Sequence, residues 1–104
     1  MATQSVTVVR IYLREGEHQI KNIMKFLHDE EKILGATVFR GVAGFGPDGA
    51  IRTASLVDLS LDLPLIVEFY GEPIQMKSVI NNLIQQLHLS HIISWPAESH
   101  VPGV

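Results

Sequence analysis

"PLIVEFYGEPIQMKSVI", residues 64–80, runs from a strand through a sharp turn into a helix. In extended chain Leu65, Val67 and Phe69 share one face, and Ile66, Glu68 and Tyr70 the other. Gly71-Glu72-Pro73 then opens a helix. Proline is tolerated in a first turn, and a carboxylate suits the positive end of the helix dipole. Met76, Val79, Ile80, Leu83 and Leu87 recur at helical spacing and predict a helix over about 72–88. After the short connector Leu89-Ser90, "HIISW" (91–95) reads as a strand stopped by Pro96, and 97–104 as an extended tail.

The same order appears upstream. "VTVVRIYL" (6–13) is rich in β-branched residues and reads as a strand, with Val9, Ile11 and Leu13 on one face and Arg10 and Tyr12 on the other. "REGE" (14–17) is a polar turn. Ile20, Ile23, Leu27 and Leu34, widened by Met24 and Phe26, predict a helix over about 17–34, closed by Gly35 in a left-handed conformation. "ATVFRGVAGF" (36–45) is the second strand, and its glycines imply a bulge or a close backbone approach. Gly46-Pro47-Asp48-Gly49 is a turn. Part of 50–63 returns as a hairpin arm and the rest is irregular, a connection long enough to suggest a functional role.

Strand, helix, strand, strand, helix, strand is the order of a ferredoxin-like βαββαβ sandwich. This is an α+β fold with a four-stranded antiparallel sheet, both helices on one face and spatial strand order fourth, first, third, second. The length of 104 residues supports one domain, 1–104, with its core over about 6–96. The helix side of the sheet is read as Val9, Ile11, Leu13, Phe39, Leu65, Val67 and Phe69. The open side is read as Arg10, Glu68 and Arg40 in an ion trio, among Val8, Tyr12, Val38, Val42, Ile66 and Tyr70. That much apolar area points to a subunit interface in which the trio fixes register.

Composition narrows the chemistry. There is no cysteine, so neither disulfides nor thiolate metal sites arise. A net charge of −3 argues against duplex nucleic acid as a partner. The N-terminal stretch lacks a signal-peptide pattern and no apolar run approaches membrane-helix length, which predicts a cytoplasmic protein. The glycine segment matches neither a Walker loop nor a dinucleotide fingerprint. Amides at Gly41, Gly44 and Gly46, with Arg40 and Arg52 as counter-charge and Phe45 as a stacking surface, form a candidate anion site; a simple hairpin bulge is the alternative. His88, His91 and His100 lack a placed carboxylate and are not read as a metal site. Ser55, Ser60, Asp58 and Asp62 carry no hydrolase signature, so no enzyme activity is expected. Asp58 and Asp62 read as solubilising loop residues, and Trp95 as a sheet-end cap or interface residue.

"VRIYLREGE", "GATVFRGVAGFG" and "LSLDLPLIVEF", in this order and spacing, resemble the family called domain of unknown function one-ninety, grouped with the PII-like proteins. The resemblance spans roughly 6–96. It implies a homotrimer with ligand clefts between subunits, where PII proteins bind adenine nucleotides. It also implies a mobile partner-engaging loop, here about 45–62, and a regulatory role, with a membrane transporter as one candidate partner. Two departures stand out. The glycine- and lysine-bearing loop that grips phosphates in PII proteins is reduced here to Leu89-Ser90, and no tyrosine occurs between Phe45 and Leu63. The ligand expectation is therefore a small anion, with a nucleotide among the candidates, at Arg40, Gly41, Gly44, Phe45, Gly46 and Arg52. The alternatives are a metal- or stress-linked trimer like the CutA branch, or a scaffold without ligand.

Overall fold

The computed structural model describes residues 2–53 and 62–102, with Arg52 described through its backbone alone. Its strands are β1 (Ala2–Arg14), β2 (Thr37–Arg40), β3 (Ala43–Gly44), β4 (Arg52–Thr53), β5 (Pro64–Gly71) and β6 (Ile92–Val101). Helix α1 (Ile20–Lys25) runs on into a π-turn over Phe26–Glu30, and α2 spans Pro73–Leu87. Strands β2-β5-β1-β6 form one antiparallel sheet of four, and β3-β4 a separate ribbon. The order is the fourth-first-third-second arrangement of a ferredoxin-like α+β sandwich.

The central register carries the core. Val9 pairs with Phe69, Ile11 with Val67 and Leu13 with Leu65. All six are buried, against Ile23, Phe26 and Leu27 of the first helix and Met76, Val79 and Leu83 of the second. Because side chains alternate, the intervening pairs face away from the helices: Val8 with Tyr70, Arg10 with Glu68 and Tyr12 with Ile66. Helix α2 begins as expected, Pro73 in its first turn and the Glu72 carboxylate accepting from the Gln75 amide at 2.9 Å.

The first helix departs from the expected 17–34. Glu15–Glu17 close a 3₁₀ turn that ends at left-handed His18 (φ 53°), so the helix starts later. At its other end the Glu31 amide donates to the Phe26 carbonyl and the Ile33 amide to that of Leu27. Lys32, not Gly35, is the left-handed residue there (φ 56°). These bonds rotate the apolar stripe, so Ile33 is buried and Leu34 is fully exposed. Helix α2 ends by the same device, with His88 left-handed (φ 56°) and Leu89 buried behind it, its amide reaching the Leu83 carbonyl. Both ends resemble a Schellman closure built without glycine.

Three strand expectations are corrected. First, β2 lies one residue out of the expected phase. Val38 pairs with Val67 and Arg40 with Leu65, putting both on the helix side, while Phe39 pairs with Ile66 on the open side. In Thr-Val-Phe-Arg either phase offers one apolar side chain, so alternation could not choose. The ion trio therefore reduces to Arg10–Glu68 at 2.7 Å. Arg40 instead binds Glu15, and that bond holds its guanidinium pKa above the ordinary value.

Second, the strand expected over 36–45 splits into β2 and β3. The Gly41 amide donates to the Pro64 carbonyl at 2.8 Å, but Pro64 has no N–H to return, so the ladder ends there. Third, β6 passes through Pro96 to Val101 rather than stopping at Trp95. Tyr12 N–H donates to the His91 carbonyl at 3.0 Å, and counting along the register makes Thr7–Pro96 a non-hydrogen-bonded pair. The proline nitrogen thus faces away from β1 on an edge strand and removes no bond. Since β5 ends opposite Thr7, residues 2–6 and 97–101 continue beyond it as a two-stranded arm. Much of the 45–62 loop, including Asp58, lies outside the described residues.

The rotated helix end makes a sharp prediction for urea denaturation. Ile33→Ala should lower unfolding stability by about 2–4 kcal/mol, whereas Leu34→Ala should change it by less than about 0.5 kcal/mol. The reverse order would restore a continuous helix through Leu34.

Candidate functional site

A cleft of about 390 Å³ opens at the end of the sheet where β1 finishes and β5 begins. Its floor is Leu13, Pro64, Leu65 and Ile66, and its roof is Gly41, Ala43, Gly44, Phe45, Gly46 and Pro47. Tyr12, Arg14, Glu17 and His91 line the rest.

Proline and glycine together shape the roof. A Cβ built on Gly41 would meet the Pro64 ring at 2.7 Å, and one on Gly44 at 3.0 Å, so the missing side chains let this segment lie directly on the proline. β3 pairs with β4 through Ala43–Thr53 and Gly44–Arg52. The tight turn expected at 46–49 is present. The Gly49 amide donates to the Gly46 carbonyl at 2.9 Å, Gly49 is left-handed (φ 74°), and the Asp48 carboxylate accepts from the Ala50 amide at 3.0 Å. The expected hairpin arm is thus β4.

The sequence-derived ligand set divides. Gly41, Gly44, Phe45 and Gly46 line the cleft, with Phe45 largely exposed. Arg40 lies outside the lining, held by Glu15. The Gly41 amide is already bonded to Pro64. Gly41 and Gly44 are therefore accounted for by close packing, and any anion must be met largely by other groups.

Arg14 is one of those groups. Its Nη1 lies 3.3 Å from Asp62 Oδ2 and 3.8 Å from Asp48 Oδ2, and its Nε lies 3.4 Å from Glu17 Oε1. Asp62 also accepts from the Gly16 amide at 2.8 Å, an approach that a side chain at residue 16 would block. Far from merely solubilising a loop, Asp62 ties the start of β5 to the end of β1. Opposite, Tyr12 and His91 stack with ring centroids 4.8 Å apart. Tyr12, Arg14, Glu17 and Pro64 also line the cleft and lie outside the sequence-derived ligand set, as does His91, which the sequence reading weighs only as a metal ligand. For Arg14 and Glu17 the local signal is a charged run directly after an apolar strand.

The open side of the sheet carries Val8, Ile66, Phe39, Tyr70, Ile93 and Trp95, the last four more than a third exposed. The Arg10–Glu68 pair sits among them, with the guanidinium 5.4 Å from the Trp95 ring. Hydrogen bonds to Glu68, then to Tyr12, raise the Arg10 pKa above its ordinary value. His91 and His100 stand at opposite ends of strand β6, roughly 30 Å apart at strand rise. Among the described residues no three metal-binding side chains cluster, and no helix is long and apolar enough to cross a membrane.

Residues 6–99 match the family model DUF190, "Uncharacterized ACR, COG1993". UPF0166 protein MJ1524 of Methanocaldococcus jannaschii is 36% identical over 86 residues, 78% of this chain and 74% of that protein. A UPF0166 protein of Aquifex aeolicus is 34% identical over 80 residues, 73% of this chain and 76% of that one. Among solved structures, CPII, a nitrogen regulatory PII-like protein from Thiomonas intermedia bound to ADP, AMP and bicarbonate, superposes with TM-score 0.67. Identity there is 12%, over 96% of this chain and 91% of that one. A candidate PII-like signaling protein from Thermus thermophilus gives 0.64 at 15% identity, covering 95% and 91%. At these identities the likeness is one of fold.

The close approach of Gly41 to Pro64 can be tested by thermal and urea melts. Gly41→Ala should destabilise by roughly 1–3 kcal/mol through overpacking, whereas Gly46→Ala, with open space around it, should stay within about 0.5 kcal/mol. Pro64→Ala introduced into Gly41→Ala should recover part of the loss.

Proposed function

The chain belongs to the DUF190 family, and from that membership we propose that it is a PII-like regulatory protein without catalytic activity. In this reading it binds a small anionic ligand in the cleft roofed by the β3–β4 ribbon, and it passes occupancy to a protein partner through the 45–62 segment. An adenine nucleotide is the first candidate ligand, because a PII-like protein of similar fold has been solved with ADP and AMP bound. A membrane transporter is one candidate partner.

One observation carries the reading. The cleft and the stems of the long connection share a residue, since Arg14 lines the cleft while contacting Asp48 on one stem and Asp62 on the other. Whatever enters the cleft must act on a group that also holds the connection. A ligand shifts such an equilibrium only by its differential affinity for the two arrangements, and here a shared charge supplies that difference.

Assembly as a homotrimer belongs to the same proposal. Two features support association: the aromatic and aliphatic open face, and the two-stranded arm, since an isolated ribbon of that kind is marginal in water. The short connector of His88, Leu89 and Ser90 supports a phosphate grip different from that of PII proteins. Leu89 is buried and His88 closes the helix, which leaves little backbone there to offer a ligand.

Light scattering at micromolar concentration should give three times the protomer mass, and Tyr70→Glu or Trp95→Glu should lower it to one. Calorimetry should detect ADP or AMP binding at or below the millimolar range. A monomer that binds neither nucleotide would defeat the proposal.

A further inference from the structure

We propose that Arg14 is the anion-contacting residue of the cleft and that Asp48 and Asp62 compete with the ligand for it, so that an entering anion replaces internal carboxylates rather than filling a vacant charge site. The inference rests on reading the cleft as an anion site and adds how that site is regulated.

The argument begins with the donors. The Arg14 guanidinium faces Glu17, Asp48 and Asp62 at 3.4, 3.8 and 3.3 Å, so three carboxylates converge on its fork of N–H groups. An anion brought to Arg14 meets like charge at close range as well as the guanidinium. It gains a strong contact only by taking over donors that a carboxylate now holds. A planar guanidinium suits such an exchange because its fork matches carboxylate and phosphate alike.

The three carboxylates differ in how firmly they are held. Glu17 lies three residues along the chain and also accepts from the Arg14 backbone amide at 3.2 Å, so it travels with the arginine. Asp62 and Asp48 come from distant segments and share Nη1. At 3.8 Å, Asp48 is the more weakly held by Arg14, and it projects from the turn that also carries the cleft roof. Of the two, Asp48 makes the longer contact with Arg14. Arg40, one of the two arginines that the sequence reading offers beside Arg52, does not line the cleft and pairs with Glu15 outside it.

The test uses the full chain, with ADP, inorganic pyrophosphate and adenosine as probes. Asp48→Asn and Asp62→Asn remove competing charge but keep an oxygen for the Ala50 and Gly16 amides, so the turn and the β1 end keep their acceptors. Calorimetry should show ADP and pyrophosphate binding tightened roughly two- to fivefold by each change, and adenosine unaffected. Arg14→Gln should weaken ADP by about tenfold or more, and Arg14→Lys should recover only part of that loss. ADP binding that is unchanged or weakened by both asparagine variants would overturn the exchange while leaving the cleft as a ligand site. Failure of ADP and pyrophosphate to bind any variant, Asp48→Asn/Asp62→Asn included, would remove the anion reading and the exchange together.

Discussion

The alignment of β1 against β5 is the constraint on which the molecule rests. Eight consecutive pairs, Thr7–Gly71 to Arg14–Pro64, fix which side chains meet the helices and which do not. A slip of β1 by one residue against a fixed β5 would put Arg10 into the core and turn Ile11 outward. Burial of three apolar pairs on one side and closure of one ion pair on the other favour the same register. Arg10–Glu68 is about a third exposed, so its value lies less in stability than in excluding other alignments.

The cleft follows from where that alignment stops. Pro64 pairs with Arg14 on one side and accepts from Gly41 on the other, yet it donates to neither. The second strand therefore cannot continue beside β5, and the chain leaves the sheet to form the β3–β4 ribbon over the proline ring. A concavity is left between ribbon and sheet, with the last residue of β1 at its mouth. Its arginine is placed by the strand.

Much of this was legible in the sequence, and the failures have physical causes. In 6–13 and 64–70 the charged residues Arg10 and Glu68 set the phase, because neither can lie on the helix side among Val9, Ile11, Val67 and Phe69. The second strand offered Val38 and Phe39 side by side at an exposed edge, where no burial arbitrates phase. The helix after β1 looked longer than it is because Leu34 fits a straight helical stripe. The π-turn and the left-handed Lys32 moved Ile33 into that place. Glycine at 35 drew attention to the wrong residue, since a left-handed helix end was built from lysine. At the site, the close backbone approach expected of the glycines is met at Gly41 and Gly44, but its partner, Pro64, lies too far along the chain to be named from local pattern. Arg14 and Asp62 were each visible, but a contact across 48 residues leaves no local trace.

Strand β6 borders the sheet along ten residues, and every second one turns its backbone outward. Such a rim is a template on which a stray segment can grow, copy upon copy, into a fibre. Midway along it the pyrrolidine ring of Pro96 stands where an incoming chain needs a hydrogen to bind. The rim is thereby blunted without loss to the pairing behind it, and extension strand upon strand is disfavoured at that point.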